Sequence, residues 1–550
     1  MKFLTERLGF FIAAAVVLAR LLVLDIDPPV RDLTDYLAKD EGFYVQVAYD
    51  VYENGVAFEQ TGPTWFGVPA VTNLATYCTL VAFGDNYYGL RFGSVLLALI
   101  CVLLLHVLLR RVTRDPWLLH LPPVLLATDL SFGWAGIIVE PTLGRMTMLL
   151  LVLWIMVRTI ETGRPSIARI GMLGVWTTLL SLPTYPTNFF VIPAAWTAIA
   201  LSLWQDNRGR RGLFMATVAY GFGVALALIF LLGLTHLAGG DDLGDFAKTQ
   251  GNFGSRIGTS VAAWIHNIQH LPYGNIFRLN PALLFLWLLA MMLSLSLPVG
   301  KWKPVVISVA AFTLLFLLQT VFINDYPRRK LMILLPLVLL FIVAACEHAR
   351  EATAKQHIKP IWRTLITCVL LLVCAWQTWM HVKTSYHQPL SVQIALWPGS
   401  IVLGLVGAAA VLLRAHHPEN FFRYRWLLLS PLLLPGMCNS MRTMVFERTY
   451  DYRKFTEALR EFDHKRFIGG ASLGFRVNNA IAAEFSPYLV PGGADSSWVE
   501  VDRRAQADTT TNYSVGYLDQ HLDYMHIGFD PIRVVVMDPE ETWRERQFIL

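Results

Sequence analysis

The residues best suited to chemistry open the stretch Ala38-Lys39-Asp40-Glu41-Gly42-Phe43-Tyr44, just after the first hydrophobic segment. Two adjacent carboxylates, Asp40 and Glu41, open a short amphipathic pattern there. Phe43, Val47 and Val51 follow at helical spacing, an apolar face suited to a helix lying on a membrane surface. The same acids would also serve as a plain N-terminal cap, because the helix dipole favours negative charge there. A further acid, Glu140, sits in the tight connection Ile138-Val139-Glu140-Pro141-Thr142 between two apolar runs. Capping the next helix is its plainer role, with Arg145 one turn on as a candidate partner. Asp129, deep in the preceding apolar run, is read as a structural or supporting group, since an ionisable residue there needs a partner or a wet cavity. The third polar point is Asn324-Asp325-Tyr326-Pro327-Arg328-Arg329-Lys330, with three consecutive cations. Long basic side chains snorkel at helix ends, but Arg forks equally hold a phosphate.

The elements that must position these residues are membrane helices. Of 550 residues, 55% are hydrophobic and 15% charged, against about 25% charged in soluble domains. The net charge of +5 is scattered over short loops, so no nucleic-acid partner is implied. The cysteines (Cys78, Cys101, Cys346, Cys368, Cys374, Cys438) have no metal-like spacing and read as small core residues, not a disulfide framework. Residues 8–24 read as a retained anchor. Further spans are expected near 91–109, 117–138, 142–157, 170–184, 188–204, 213–236, 279–298, 304–323, 331–346, 364–380, 398–413 and 426–439. By the criterion of roughly twenty apolar residues per span this makes about thirteen helices. The run 68–83 is short for a span and is expected to lie at the interface.

Alternate loops are short and basic, carrying Arg110, Arg111 and Arg114, then Arg158, Arg164 and Arg169, then Arg208, Arg210 and Arg211, and so on to Arg425. The positive-inside bias makes these loops cytoplasmic. The long connections 25–90, 237–278 and 381–397 and the tail from 440 then lie outside, and the three cations at 328–330 break the bias. In the loop 237–278, His266 and His270 share a helical face. Two histidines without further ligands make an interfacial face the better reading than a metal site. From about 440 the composition is that of a soluble unit, with a helix expected at Tyr452–Phe462 and strands at Arg466–Phe475 and Ile532–Met537. The organisation expected is a transmembrane domain over 1–439 and a small extracytoplasmic α/β domain over 440–550.

These features resemble the integral-membrane glycosyltransferases of the GT-C class, in the branch of the protein O-mannosyltransferases and lipid A aminoarabinose transferases. Asp40-Glu41-Gly42-Phe43-Tyr44 is similar to the acidic opening of that branch's first outer loop. Thr64-Trp65-Phe66-Gly67-Val68-Pro69 resembles its aromatic-Gly-Lys-Pro stretch, and Tyr87-Tyr88-Gly89-Leu90-Arg91 the start of its second span. Glu140-Pro141 stands where the branch carries a second acid, and Tyr326 to Pro336 is similar to its late helix. The likeness spans roughly residues 1–350, with two departures: Val68 replaces the Lys before Pro, and Phe43 stands where the aminoarabinose enzymes have Arg.

The resemblance implies an α-helical multi-pass protein of the plasma (inner) membrane. It would transfer a sugar, with inversion, from a polyprenyl-phosphate carrier to an acceptor hydroxyl at the outer face. Asp40 would be the base, with Glu41 and Glu140 in support; Arg328, Arg329, Lys330 and Tyr326 would hold the donor phosphate. The partners are then the lipid-linked donor, a glycan, lipid or protein acceptor, and membrane lipids. No cofactor is required, and a divalent ion shared by Asp40 and Glu140 stays open. A secondary transporter would also have a dozen or so helices, but with ionisable groups near the midplane and repeated halves. A lipid-carrier polysaccharide polymerase or ligase would share the donor logic.

Overall fold

Lipid offers no partners for backbone N–H and C=O, so apolar runs of this length satisfy themselves as helices. The computed structural model describes residues 2–25, helical positions at Val45, Ala48, Val51 and Tyr52, and residues 70–161, 165–182, 186–205, 209–237, 260–270, 287, 303–322 and 332–354, with strands between 467 and 548. Its helices are α1 (Lys2–Leu18, continued by a 3-10 turn Ala19–Val23), α2 (Ala70–Phe83), α3 (Tyr87–Val112), α4 (Pro116–Thr128), α5 (Leu130–Ala135) and α6 (Pro141–Glu161). Then come α7 (Ile167–Ser181), α8 (Val191–Gln205, preceded by a 3-10 turn Pro186–Phe190), α9 (Gly209–Leu237), α10 (Val261–His270), α11 (Lys303–Phe322) and α12 (Leu334–Ala354). Three described helices, Tyr87–Val112, Pro141–Glu161 and Arg210–Gly233, are long and apolar enough to cross a membrane by length and composition. The expected spans near 279–298, 364–380, 398–413 and 426–439, and the helix expected at 452–462, lie outside the described residues.

One expected span is not continuous. The run 117–138 breaks at Asp129, whose backbone is extended between α4 and α5. The Asp129 carboxylate accepts from Phe132 N at 3.0 Å and so starts α5 as an N-cap. Arg20, 1% exposed, spans the break, donating to Ala127 O at 2.6 Å and to Phe132 O of α5 at 3.3 Å.

Close helix contacts use small residues, as is usual where lipid removes the hydrophobic drive to associate. α2 and α3 form a tight hairpin, turned at Gly84, whose φ of 79° suits glycine. Asn86 caps α3 by accepting from Tyr88 N at 2.9 Å and Gly89 N at 3.1 Å. α1 packs on α4 and α3, and α7 on α9. α9 turns Phe214, Phe222 and Ile229 outward, an apolar surface for lipid.

The ends of α3 and α6 separate two environments. At their C-termini Arg111 meets Glu161 at 2.9 Å, so two of the basic loops lie at one end of the bundle. Thr113, just past α3, donates to Glu347 of α12 at 2.6 Å, tying that helix in at the same end. The N-termini of α3 and α6 lie at the far end, about 30 Å away at 1.5 Å per residue.

The strands β1 (Phe467–Gly469), β2 (Leu489–Pro491), β3 (Tyr513–Tyr517), β4 (Ile532–Asp538) and β5 (Glu541–Phe548) form a sheet of order β2-β1-β3-β4-β5. β1 runs parallel to β2 and β3, whereas β3, β4 and β5 are antiparallel. β1 and β4 fall where the two strands were expected.

Candidate functional site

The far end of the bundle gathers groups that apolar surroundings disfavour. Glu140 is 3% exposed, in the turn between α5 and α6. Its Oε2 accepts from Thr142 N at 3.0 Å, so the capping role expected for it is present. Pro141 opens α6, where its missing N–H costs nothing. An ionised carboxylate accepts at several lone pairs, so this one bond does not use up its capacity. Arg145, one turn into α6 and buried, donates through Nε to Asn188 Oδ1 at 3.0 Å, which joins α6 to the 3-10 turn before α8.

Val139, beside Glu140, packs in a small cluster with Val45, Ala48, Leu80 and Leu90, flanked by Tyr52 and Tyr77. Val45, four residues beyond Glu41 in the sequence, packs beside the Glu140 turn. Val45 and Ala48 are fully buried, whereas the expected Phe43 and Val47 lie outside the described residues and Val51 is half-buried. Val45 and Ala48 pack against Leu80 of α2 and Leu90 of α3. Asp40, Glu41, Tyr326, Arg328, Arg329 and Lys330 themselves lie outside the described residues.

Two buried arginines hold the backbone on either side of these acids. Arg91, in the first turn of α3 and fully buried, donates to Leu24 O at 2.8 Å, where the long loop 25–90 departs. Its guanidinium also sits over the Tyr87 ring, 5.6 Å from the centroid. Arg20 pins the break from which α5 leads to Glu140. The sequence signal for Arg20 was a lone cation inside an apolar run, with Asp129 in another run as its complement.

α2 brings a third set of polar groups. Thr72, Asn73, Thr76 and Thr79 are buried, whereas Leu74, Val81 and Phe83 face outward. Thr79 Oγ1 donates within the α2–α3 hairpin, its shortest bond being 2.6 Å to Gly89 O. Among the described residues, Thr72 Oγ1 and both heteroatoms of the Asn73 amide have no hydrogen-bond partner. Thr72 Oγ1 is 2.9 Å from where a first side-chain carbon on Gly144 would sit, so the start of α2 abuts the first turns of α6. Among the described residues no group of three or more His, Cys, Asp or Glu side chains comes together. α10 carries the two expected histidines, with Val261, Ile265 and Ile268 exposed as an interfacial helix would have them.

A bundle of apolar helices with buried polar groups gathered at one end defines a class: a helical membrane protein. The particular likeness is to ArnT, a lipid A aminoarabinose transferase, from Cupriavidus metallidurans. The chain matches its apo crystal structure with a TM-score of 0.52 and 12% identity, over 92% of this chain and 93% of that one. It matches the crystal structure bound to undecaprenyl phosphate with a TM-score of 0.53 and 12% identity, over the same shares. At this identity the likeness is one of fold. No protein-family model matches the sequence, and no curated protein matches it.

Proposed function

We propose that the protein is a membrane glycosyltransferase that moves a sugar from a polyprenyl-phosphate carrier to an acceptor hydroxyl. The observation that carries the reading is the meeting of Val45 and Val139, which brings the segment after Asp40-Glu41 onto the buried Glu140 turn. It occurs within a fold shared with a protein crystallised with undecaprenyl phosphate.

Asp40 takes the proton of the acceptor hydroxyl as its oxygen attacks the anomeric carbon from the face opposite the carrier. The bond from that carbon to the phosphate oxygen breaks, inverting the centre and leaving the lipid phosphate anion. Arg328, Arg329 and Lys330, with Tyr326, meet the charge that develops on the departing phosphate, where fixed cations contribute most. Glu140 orients the acceptor, and Glu41 supports Asp40. The reaction needs no cofactor, and a divalent ion bridging Asp40 and Glu140 would serve only to bind.

By the positive-inside bias the Arg111–Glu161 end is cytoplasmic, so the carboxylate end and the tail from 440 face out of the plasma (inner) membrane. This reading keeps about thirteen spans over 1–439 and treats 440–550, with its five strands, as a separate α/β unit.

The test uses purified protein in lipid nanodiscs, undecaprenyl phosphate charged with mannose or 4-amino-4-deoxyarabinose, and a cell-envelope extract as acceptor. Release of bare undecaprenyl phosphate with sugar appearing in the extract is the expected result. Transport of either sugar across a sealed vesicle, with no release of the carrier, would replace the reading with a transporter.

A further inference from the structure

The polar face of α2 is inverted relative to an ordinary surface helix: its hydroxyls and amide point inward, whereas Leu74, Val81 and Phe83 face outward. An outward apolar face is what lipid contact requires, so a lipid-anchored ligand reaches this helix without leaving the membrane. Asn73 stands one and two turns before Tyr77 and Leu80, at i+4 and i+7, and so shares their face. Tyr77 and Leu80 border the cluster that joins Val45 to Val139. Asn73 therefore lies on the face of α2 that, one to two turns on, borders the cluster beside the Glu140 turn.

Asn73 is 0% exposed, yet both its amide nitrogen and its amide oxygen have no hydrogen-bond partner among the described residues. The hydroxyl of Thr72, 1% exposed, shares that condition. Buried polar groups are nearly always paired, and leaving one unmade costs free energy that an apolar side chain of the same size would not. Thr79, two turns on, shows that the α2–α3 hairpin satisfies such a group when its role is only packing.

Resting on the function proposed above, we infer that Asn73, with Thr72, binds hydroxyl groups of a sugar ring held beside Glu140. The pair offers a neutral donor–acceptor amide and a hydroxyl. A sugar's hydroxyls are donors and acceptors at once and match it, whereas a phosphate would call for cations. The sugar can belong to the lipid carrier or to the acceptor, and both present the same chemistry to Asn73.

Two arms separate these sources, using the full chain in nanodiscs. In the first, bare undecaprenyl phosphate and the mannose- and 4-amino-4-deoxyarabinose-charged carriers are titrated against wild type, Asn73→Leu and Thr72→Val. In the second, the KM for the acceptor extract is measured in the transfer assay. The expected result is that Asn73→Leu keeps or raises thermal stability and binds the bare carrier normally. It should lose roughly threefold to tenfold in affinity for the charged carrier, the worth of one such bond. The same loss confined to the acceptor KM would also support sugar binding and would assign the ring to the acceptor. Wild-type behaviour of Asn73→Leu in both arms would overturn the inference. A wild-type protein that binds neither bare nor charged carrier would overturn the underlying function, and the inference with it.

Discussion

The two ends of the α3–α6 pair carry charge in opposite ways. At one end Arg111 and Glu161 pair at 2.9 Å with their side chains about a third exposed. At the other, Glu140 is 3% exposed, and Arg20 and Arg91 are as deeply buried and spend their donors on backbone carbonyls. The Arg111–Glu161 pair at the first end is solvated and cheap, whereas Glu347 at that end is buried and takes its hydrogen bond from Thr113. Charge at the second end is expensive to bury, so it persists where it shapes a segment or serves a ligand. Composition alone does not separate the two ends, since both are short, polar and rich in Arg or Glu.

The sharpest way to break this contrast is to remove Arg20. Arg20→Ala removes the cation that bonds the Ala127 and Phe132 carbonyls, each such charge-assisted bond being worth about 1.5–3 kcal/mol. Loss of folded protein in detergent, read by thermal unfolding and size-exclusion chromatography, is the expected outcome. Arg20→Lys should recover part of the stability, because an ammonium keeps the charge but not the fork. A fully stable Arg20→Ala would mean that the break at Asp129 holds without it.

A smaller effect is expected at the proposed phosphate contact. Arg329→Ala should weaken binding of undecaprenyl phosphate by roughly tenfold or more, from the loss of about 1.5–3 kcal/mol for a charge-assisted bond. Arg329→Lys should restore only part of it. Unchanged carrier affinity in Arg328→Ala, Arg329→Ala and the double variant would leave the three cations as a membrane anchor.

The smallest effect belongs to the solvated end. Arg111→Ala and Glu161→Gln should each shift stability by less than about 1 kcal/mol, discounted for exposure, and leave sugar transfer unchanged. A loss of transfer there, with stability intact, would erase the distinction between the ends.

Much of the architecture was legible because apolar runs in a membrane have few choices. α3, α6, α9, α11 and α12 fall on expected spans, and β1 and β4 on expected strands. The Glu140 turn was visible as one acid between two such runs. What escaped was decided by distant residues. The run through Asp129 reads as continuous, and its break depends on Arg20, more than a hundred residues earlier in the chain. The Thr72, Asn73, Thr76 and Thr79 face is hidden within an apolar stretch, because which side of a helix is buried depends on its partner. The packing of Val45 and Ala48 against Leu80 of α2 and Leu90 of α3 was not visible either, because hydrophobic spacing describes a helix alone and not its partner.

The claim at the centre is that the buried carboxylate end is the working end, with Asp40 as its base. Sugar transfer and carrier binding should therefore be measured together on purified wild type, Asp40→Asn, Glu41→Gln and Glu140→Gln. Loss of a general base lowers turnover by about 10²–10⁴-fold. Asp40→Asn is accordingly expected to fold and to bind the charged carrier like wild type while transferring no detectable sugar, with Glu41→Gln and Glu140→Gln impaired less. Near-normal transfer by Asp40→Asn would contradict the assignment of Asp40 and leave Glu140 as the base to test next.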